Sequence, residues 1–202
     1  MKGIVKNTVI ITLITLIAGV LLGLVYEITK DPIAKQNELA KQEACEMVFA
    51  GAESFDAVIT GEDADIQAYI TEAGYAAQTI DEVMEAKDAS GNVLGYVLTV
   101  TSGEGYGGDI QFTMGVKEDG TVNGISFLSI SETAGLGMKA DTDEFKGQFA
   151  DRNAASFSVT KTGASADNEI DAISGATITT NAVTKGVNAG LAAIEYLKGG
   201  NG

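Results

Sequence analysis

A short turn near the C-terminus, residues 171–177, carries the side chains of this sequence best suited to holding a phosphate. It reads Asp171-Ala172-Ile173-Ser174-Gly175-Ala176-Thr177 and leads into an amphipathic segment. Gly175 can adopt a positive φ and Ala176 leaves space, so a phosphate can approach the backbone. A helix N-terminus adds free N–H groups and a partial positive charge. The Thr177 hydroxyl could therefore lie beside a phosphate or be esterified by it, although an ordinary helix-capping turn is the alternative. Asp171 could bind Mg²⁺ while a phosphate-containing group is transferred to Thr177, or it could merely cap a turn.

Two further glycine-containing loops follow predicted strands. The first reads Ser131-Glu132-Thr133-Ala134-Gly135-Leu136-Gly137-Met138-Lys139. Its two glycines flank a leucine, which suits the face and edge of a planar heterocycle, although a simple exit from a strand fits as well. The second loop, residues 103–109, lacks the Lys-Ser/Thr ending of a P-loop, which argues against nucleotide hydrolysis. Its Tyr106 could stack on a ring or pack the loop.

Composition excludes several kinds of chemistry. The 202 residues include no histidine, which removes imidazole catalysis and His-ligated haem or metal sites. A single cysteine, Cys45, excludes an intrachain disulfide and a Cys-ligated iron–sulfur cluster, and we expect it to be a packed thiol. The formal net charge is −15, so we expect no nucleic-acid partner.

An uncharged apolar run lies near the N-terminus. Residues 8–25 read TVIITLITLIAGVLLGLV, 18 residues that are near the lower limit for a membrane span. A cleaved signal peptide is the alternative, but the run is longer than a usual signal core and no convincing small-x-small site follows it. We therefore predict an uncleaved anchor.

The charges around this run predict its orientation. Lys2 and Lys6 precede it, and the positive-inside bias puts that end in the cytoplasm. The predicted organisation is a cytoplasmic N-terminus over residues 1–7, a single transmembrane anchor in the cell membrane over residues 8–26, and an extracytoplasmic domain over residues 27–202.

The remaining pattern predicts an α+β fold, with an antiparallel sheet packed with helices and preceded by one transmembrane helix. Period-two segments predict strands at residues 83–86, 93–101, 110–116 and 122–130, and a short strand at 157–160 could join them.

Helix signals flank these strands. Asp31-Pro32 predicts the start of a second helix that ends near Gly51, and a last helix is expected over residues 180–197. Residues 52–80 are acidic and predict a solvated loop, and Asp63-x-Asp65 within it offers fewer ligands than a calcium loop needs.

Taken together, the anchor and the three loops resemble a known family. The chain resembles the G subunit of the Rnf electron-transport complex over nearly its whole length, and less closely the C subunit of the sodium-pumping NADH:quinone reductase. The motif over residues 171–180 is the most specific part of this resemblance. One departure is Ala134, where relatives often have proline, and it removes no catalytic group.

The resemblance implies a cofactor and its site. In that family the threonine that ends the Ser-Gly-Ala-Thr segment carries FMN through a phosphoester bond, which places the flavin on Thr177 and makes Asp171 part of the flavinylation motif. A separate flavin transferase forms the bond from FAD with Mg²⁺. The other implied cofactor-binding residues are Ser174, Gly175, Ala176, Glu132, Thr133, Gly135, Leu136 and Gly137.

The implied function is electron transfer within a membrane complex that moves electrons between ferredoxin and NAD⁺ and is coupled to ion transport. Thr177 would be the attachment site and not an acid, base or nucleophile. The ferredoxin and NAD⁺ sites would lie on other membrane subunits, since this chain has neither a dinucleotide fingerprint nor cluster ligands. The alternatives are the quinone-reductase subunit and a non-redox anchored binding protein whose turn merely caps a helix.

Overall fold

The computed structural model describes residues 2–199, which form two compact units, one up to Ala40 and one from Lys41 onwards. Helix α1, Lys2–Val48, has 47 residues and is about 70 Å long at 1.5 Å per residue. Among the described residues, α1 is the one helix that is long and apolar enough to be a candidate membrane span.

The helix start predicted at Asp31-Pro32 is wrong, because α1 runs through Pro32 without a break. An internal proline removes one helical hydrogen bond and costs about 3 kcal/mol. The residues that follow it are rich in Ala, Glu, Gln and Lys, which are good helix formers and can continue the helix. α1 ends at Val48, and Gly51 takes a φ of +105° just beyond it.

The second unit is built on a six-stranded antiparallel sheet in sequential order, so the predicted α+β fold is confirmed. The strands are β1 Ser54–Thr60, β2 Gln78–Lys87, β3 Val93–Ser102, β4 Ile110–Lys117, β5 Thr121–Ser129 and β6 Arg152–Asn153. The four predicted strands correspond to β2–β5. Between them the chain reverses at Gly91 and Gly120, whose φ values of +82° and +88° favour glycine.

The loop predicted over residues 52–80 is wrong, because this stretch contains β1 and a helix, α2, over Ala64–Glu72. Asp63 is the N-cap of α2, since its carboxylate accepts hydrogen bonds from the backbone N–H groups of Asp65 and Ile66. A helix as short as this is held by tertiary packing, here through the buried Ile66 and Ile70.

The short strand predicted at residues 157–160 exists but does not join the main sheet. β7, Ser158–Thr160, pairs in parallel with β8, Glu169–Asp171, in a separate two-stranded sheet. Besides β4, the strand that pairs with β5 is instead β6, and it does so only at Thr121 and Val122.

The last helix, α4 (Thr177–Gly199), packs on one face of the main sheet and starts three residues earlier than expected. Two short helical turns precede it, a 3₁₀ helix at Gly137–Asp141 and α3 at Asp143–Lys146. Val183 and Val187 of α4 are fully buried in the same core cluster as Phe112 and Met114 of β4. Cys45 is buried in a second cluster with Met84 and Val97 on the opposite face, as expected.

Two glycines set the distance between α4 and the sheet. A Cβ atom on Gly186 would lie 2.8 Å from Phe112 Cζ, and one on Gly190 would overlap the sulfur of Met114. The absence of these side chains therefore lets large side chains of β4 fill the space directly beneath the helix.

Replacing Gly186 with valine should destabilise the fold by about 1–3 kcal/mol, because the buried Phe112 ring would have to move. Thermal unfolding of the full chain in detergent, followed by circular dichroism, measures the loss. Asn181→Val is the matched control, since it puts the same side chain on an exposed position of α4. Equal melting temperatures for the two variants would contradict the packing argument.

Candidate functional site

The three loops singled out in the sequence meet around one pocket of about 490 Å³ in the second unit. Its lining residues are Tyr106, Glu132, Thr133, Leu136, Gly137, Gly175, Ala176, Thr177, Ile178 and Thr179. The pocket lies where α4 begins and where the chain leaves β3 and β5.

The turn before α4 is held by hydrogen bonds within itself. Thr180 Oγ1 accepts from the backbone N–H of Ile173 at 3.0 Å and donates to the carbonyl oxygen of Ala176 at 3.0 Å. Gly175 adopts a φ of +78°, and a Cβ there would lie 3.1 Å from Leu136 Cδ2. Glycine is therefore required here by the backbone conformation and by the contact with the neighbouring loop.

Thr177 is the first residue of α4 and is half-buried at the pocket. The N–H groups of the first helical turn have no acceptor within the helix, so those of residues 177–179 are available to a ligand. α4 has 23 residues, and its N-terminal end carries the partial positive charge of the helix dipole. The Thr177 hydroxyl therefore lies where an anionic group is stabilised.

The loop after β5 is joined to the loop after β3 through a buried carboxylate. Glu132 Oε1 accepts hydrogen bonds from the backbone N–H groups of Tyr106 at 2.8 Å and Gly107 at 3.2 Å. A Cβ on Gly137 would lie 2.5 Å from Glu132 Oε2 and 2.8 Å from Thr179 Oγ1, so the loop also packs closely against the first turn of α4.

A second carboxylate joins the loop after β3 to α4. Glu104 accepts hydrogen bonds from Lys185 Nζ on one oxygen and from Gln78 Nε2 on the other, both at 2.7 Å. The hydrogen bond from the Lys185 ammonium, assisted by the one from Gln78, holds the pKa of Glu104 below its ordinary value. Gln78 itself is almost completely buried, whereas the side chains of Glu104 and Lys185 are partly exposed, so this network runs from the domain interior to its surface.

Three residues that the sequence put in the cofactor site do not line this pocket. Asp171 and Ser174 line a neighbouring pocket of about 360 Å³. The Asp171 carboxylate accepts from the backbone N–H of Ala164 at 2.7 Å, so it also organises the loop between β7 and β8. Gly135 takes a φ of +75°, so its contribution is to let the backbone turn just before Leu136.

Tyr106, which was expected either to stack on a ring or to pack its loop, lines this pocket although it was not among the implied cofactor-binding residues. Two further pocket residues, Ile178 and Thr179, were not predicted at all. They belong to the first turn of α4, which the sequence analysis started only at residue 180. A helix start predicted at residue 177 would have put both residues in the first helical turn, whose N–H groups and side chains border the same site as Thr177.

The pocket combines two kinds of surface. The helix N-terminus favours an anion, whereas the exposed side chains of Leu136 and Ile178 and the ring of Tyr106 offer apolar surface. An elongated ligand with a phosphate at one end and a planar, partly apolar ring at the other fits this chemistry, and FMN is such a ligand.

Comparisons with known proteins point to the same chemistry. A family model described as FMN-binding domain matches residues 105–192, which include most of the three loops, and one described as RnfG N-terminal region matches residues 1–48.

Proteins of similar length match along almost all of the chain. The G subunit of the proton-translocating ferredoxin:NAD(+) oxidoreductase complex of Clostridium ljungdahlii is 35% identical over 98% of this chain and 94% of its own length. Its Na(+)-translocating counterpart from Acetobacterium woodii is 32% identical over 97% and 94%. The G subunit of the ion-translocating oxidoreductase complex of Methanosarcina acetivorans is 34% identical over 100% and 98%. The crystal structure of Shewanella oneidensis NqrC has a TM-score of 0.49 at 20% identity, covering 59% of this chain and 61% of that one.

Thr180→Val should destabilise the domain by about 1–3 kcal/mol, because the buried N–H of Ile173 loses its acceptor. It should also speed up amide hydrogen exchange of Ile173. Thr184→Val is the control, since that hydroxyl only donates to the carbonyl of Thr180 one turn back in the helix. The same loss of stability and the same exchange rate at Ile173 in both variants would refute the role of Thr180.

The ion pair between Glu104 and Lys185 should make stability depend on acid pH. Because the folded-state pKa of Glu104 is lowered, its stabilising contribution is complete above the ordinary carboxyl pKa of 4.5 and is lost as the pH falls through the lowered value. Lys185→Met should remove at most about 1 kcal/mol near neutral pH and flatten this acid loss. Melting temperatures across the acid range test it, with Lys117→Met, which breaks an exposed pair with Asp151, as control. Parallel pH profiles for Lys185→Met and the unmodified chain would contradict it.

Proposed function

This chain belongs to the family of G subunits of ion-translocating ferredoxin:NAD⁺ oxidoreductase complexes, and we propose that it carries FMN covalently on Thr177 as an electron-transfer subunit. The match to an FMN-binding domain supports the cofactor. The full-length similarity to the G subunits of three such complexes supports the assembly into a membrane complex with other subunits.

The observation that carries this proposal is the position of Thr177 at the first residue of α4, on the wall of the pocket. Two other threonines line the same pocket. Thr179 is 2% exposed, and Thr133 belongs to the loop after β5 and not to the first turn of α4. Thr177 thus combines a partly accessible hydroxyl with adjacent free N–H groups, which is what a phosphoester at this site needs.

The remaining residues would bind and orient the cofactor. FMN supplies a ring that accepts and releases electrons when it is bound. The backbone N–H groups of residues 177–179 would donate to its phosphate oxygens, and Gly175 would leave room for the phosphate. Leu136 would offer apolar surface to the ring, while Glu132 holds the two neighbouring loops together.

Covalent attachment would require a maturation step. A flavin transferase would esterify Thr177, and Asp171 and Ser174, in the pocket beside the turn, would be available to that enzyme before the flavin is in place. Thr177 would then have no acid–base role in electron transfer.

We infer the membrane arrangement from the sequence of α1. Its apolar segment would span the membrane, with Lys2 and Lys6 on the cytoplasmic side and the FMN-binding domain outside. The donor and acceptor of electrons would be other subunits, because the chain contains no dinucleotide fingerprint and has only one cysteine.

Thr177→Ala should abolish covalent flavin. We would co-express the full chain with a flavin transferase, separate it on a denaturing gel, and record flavin fluorescence and intact mass. The chain without a substitution should fluoresce and gain the mass of one esterified FMN. The Thr177→Ala variant should show neither the fluorescence nor the added mass.

Thr133→Ala is the matched control, since it removes a hydroxyl from the same pocket and should leave the signal intact. Fluorescence that persists in Thr177→Ala would reject the attachment site. If the chain without a substitution is colourless although the transferase modifies another substrate in the same cells, the proposal of a covalent flavin is rejected altogether.

A further inference from the structure

Tyr106 is unusually placed for a large aromatic side chain. It is 71% exposed, more than any other large apolar residue in the described part of the second unit. The others that are exposed there are Met47, Val58, Leu136 and Ile178. Leu136, Ile178 and Tyr106 all line the pocket of Thr177, so three of the five exposed large apolar side chains in the described part of this unit lie at one site.

The backbone that carries Tyr106 is firmly held. Its own N–H and that of Gly107 donate to the buried Glu132, and Glu104, two residues earlier, is fixed by Lys185 and Gln78. Charge-assisted hydrogen bonds of this kind are stronger than neutral ones.

Close packing adds a further restraint on the same loop. A Cβ on Gly107 would overlap the carbonyl oxygen of Ser131, and one on Gly105 would overlap that of Gly108. An exposed loop with this many restraints presents its side chain in a defined place.

We propose that Tyr106 is a positioning residue whose ring packs against the isoalloxazine ring of the flavin, with Glu104 and Glu132 holding its loop in place. This inference rests on the proposed attachment of FMN to Thr177. Aromatic rings in contact favour offset-stacked or edge-to-face arrangements. Tyr106 is exposed in the chain alone because the surface it covers belongs to the cofactor.

Flavin emission in the folded protein tests the contact. A phenol in contact with an excited flavin quenches its emission, so Tyr106→Leu in the flavinylated full-length protein should raise the emission severalfold. Tyr106→Phe keeps a ring of the same shape and should retain the visible circular dichroism of the flavin, while its emission rises because the phenol is gone. After unfolding, all variants should emit equally per flavin.

Tyr26→Leu is the control for loss of a tyrosine outside the site, since Tyr26 belongs to α1 and does not line the pocket. Glu132→Ala should give a smaller rise in emission and a broader spread of fluorescence lifetimes, because it loosens the loop and leaves the ring in place.

Unchanged emission and circular dichroism in a flavinylated Tyr106→Leu protein would overturn the inference, and loss of electron transfer within the complex under those conditions would assign Tyr106 to a contact with another protein of the complex. If the unmodified chain carries no flavin on the denaturing gel, the proposed function fails and this inference fails with it. The gel and the folded-state emission therefore distinguish the two failures.

Discussion

The close contact between α4 and the sheet is the constraint on which the site depends. Gly186 and Gly190 remove the side chains that would hold the helix away, and Phe112 and Met114 fill the space beneath it. Such packing leaves little freedom for the helix to slide or tilt. The N-terminal end of α4 is therefore held next to the loops that leave β3 and β5, and Thr177 is held with it.

Carboxylates then organise the loops around this helix end. In a chain with a net charge of −15, Glu132 and Glu104 serve as hydrogen-bond acceptors for backbone and side-chain donors rather than as free surface charges. The negative charge of Glu132 is offset by two N–H groups, although it lies in the wall of a pocket suited to an anion. The α4 N-terminus remains the part of the pocket available to a phosphate, so the anionic and apolar ends of the ligand have separate surfaces.

Strands β2–β5 and the three loops could be predicted, because alternating apolar residues and glycine-rich turns are local signals. The failures have physical causes. α2 has only nine residues, so its apolar positions Ile66, Tyr69 and Ile70 repeat over little more than one turn and residues 52–80 looked like a loop. The partner of β7 is β8, a three-residue strand that is too short to give a clear period-two pattern of its own. Pro32 lies inside a helix that its neighbours continue despite the local cost.

At the site, too, local sequence signals predicted some features and failed for others that depend on the folded backbone. Glycine and threonine types identified the turn at residues 171–177, but sequence adjacency suggested that all its side chains face one ligand. The sharp turn at Gly175 instead separates them, with Thr177 on the wall of one pocket and Asp171 and Ser174 on the wall of another. Because a positive φ reverses the chain within a residue or two, a compact motif can present two surfaces.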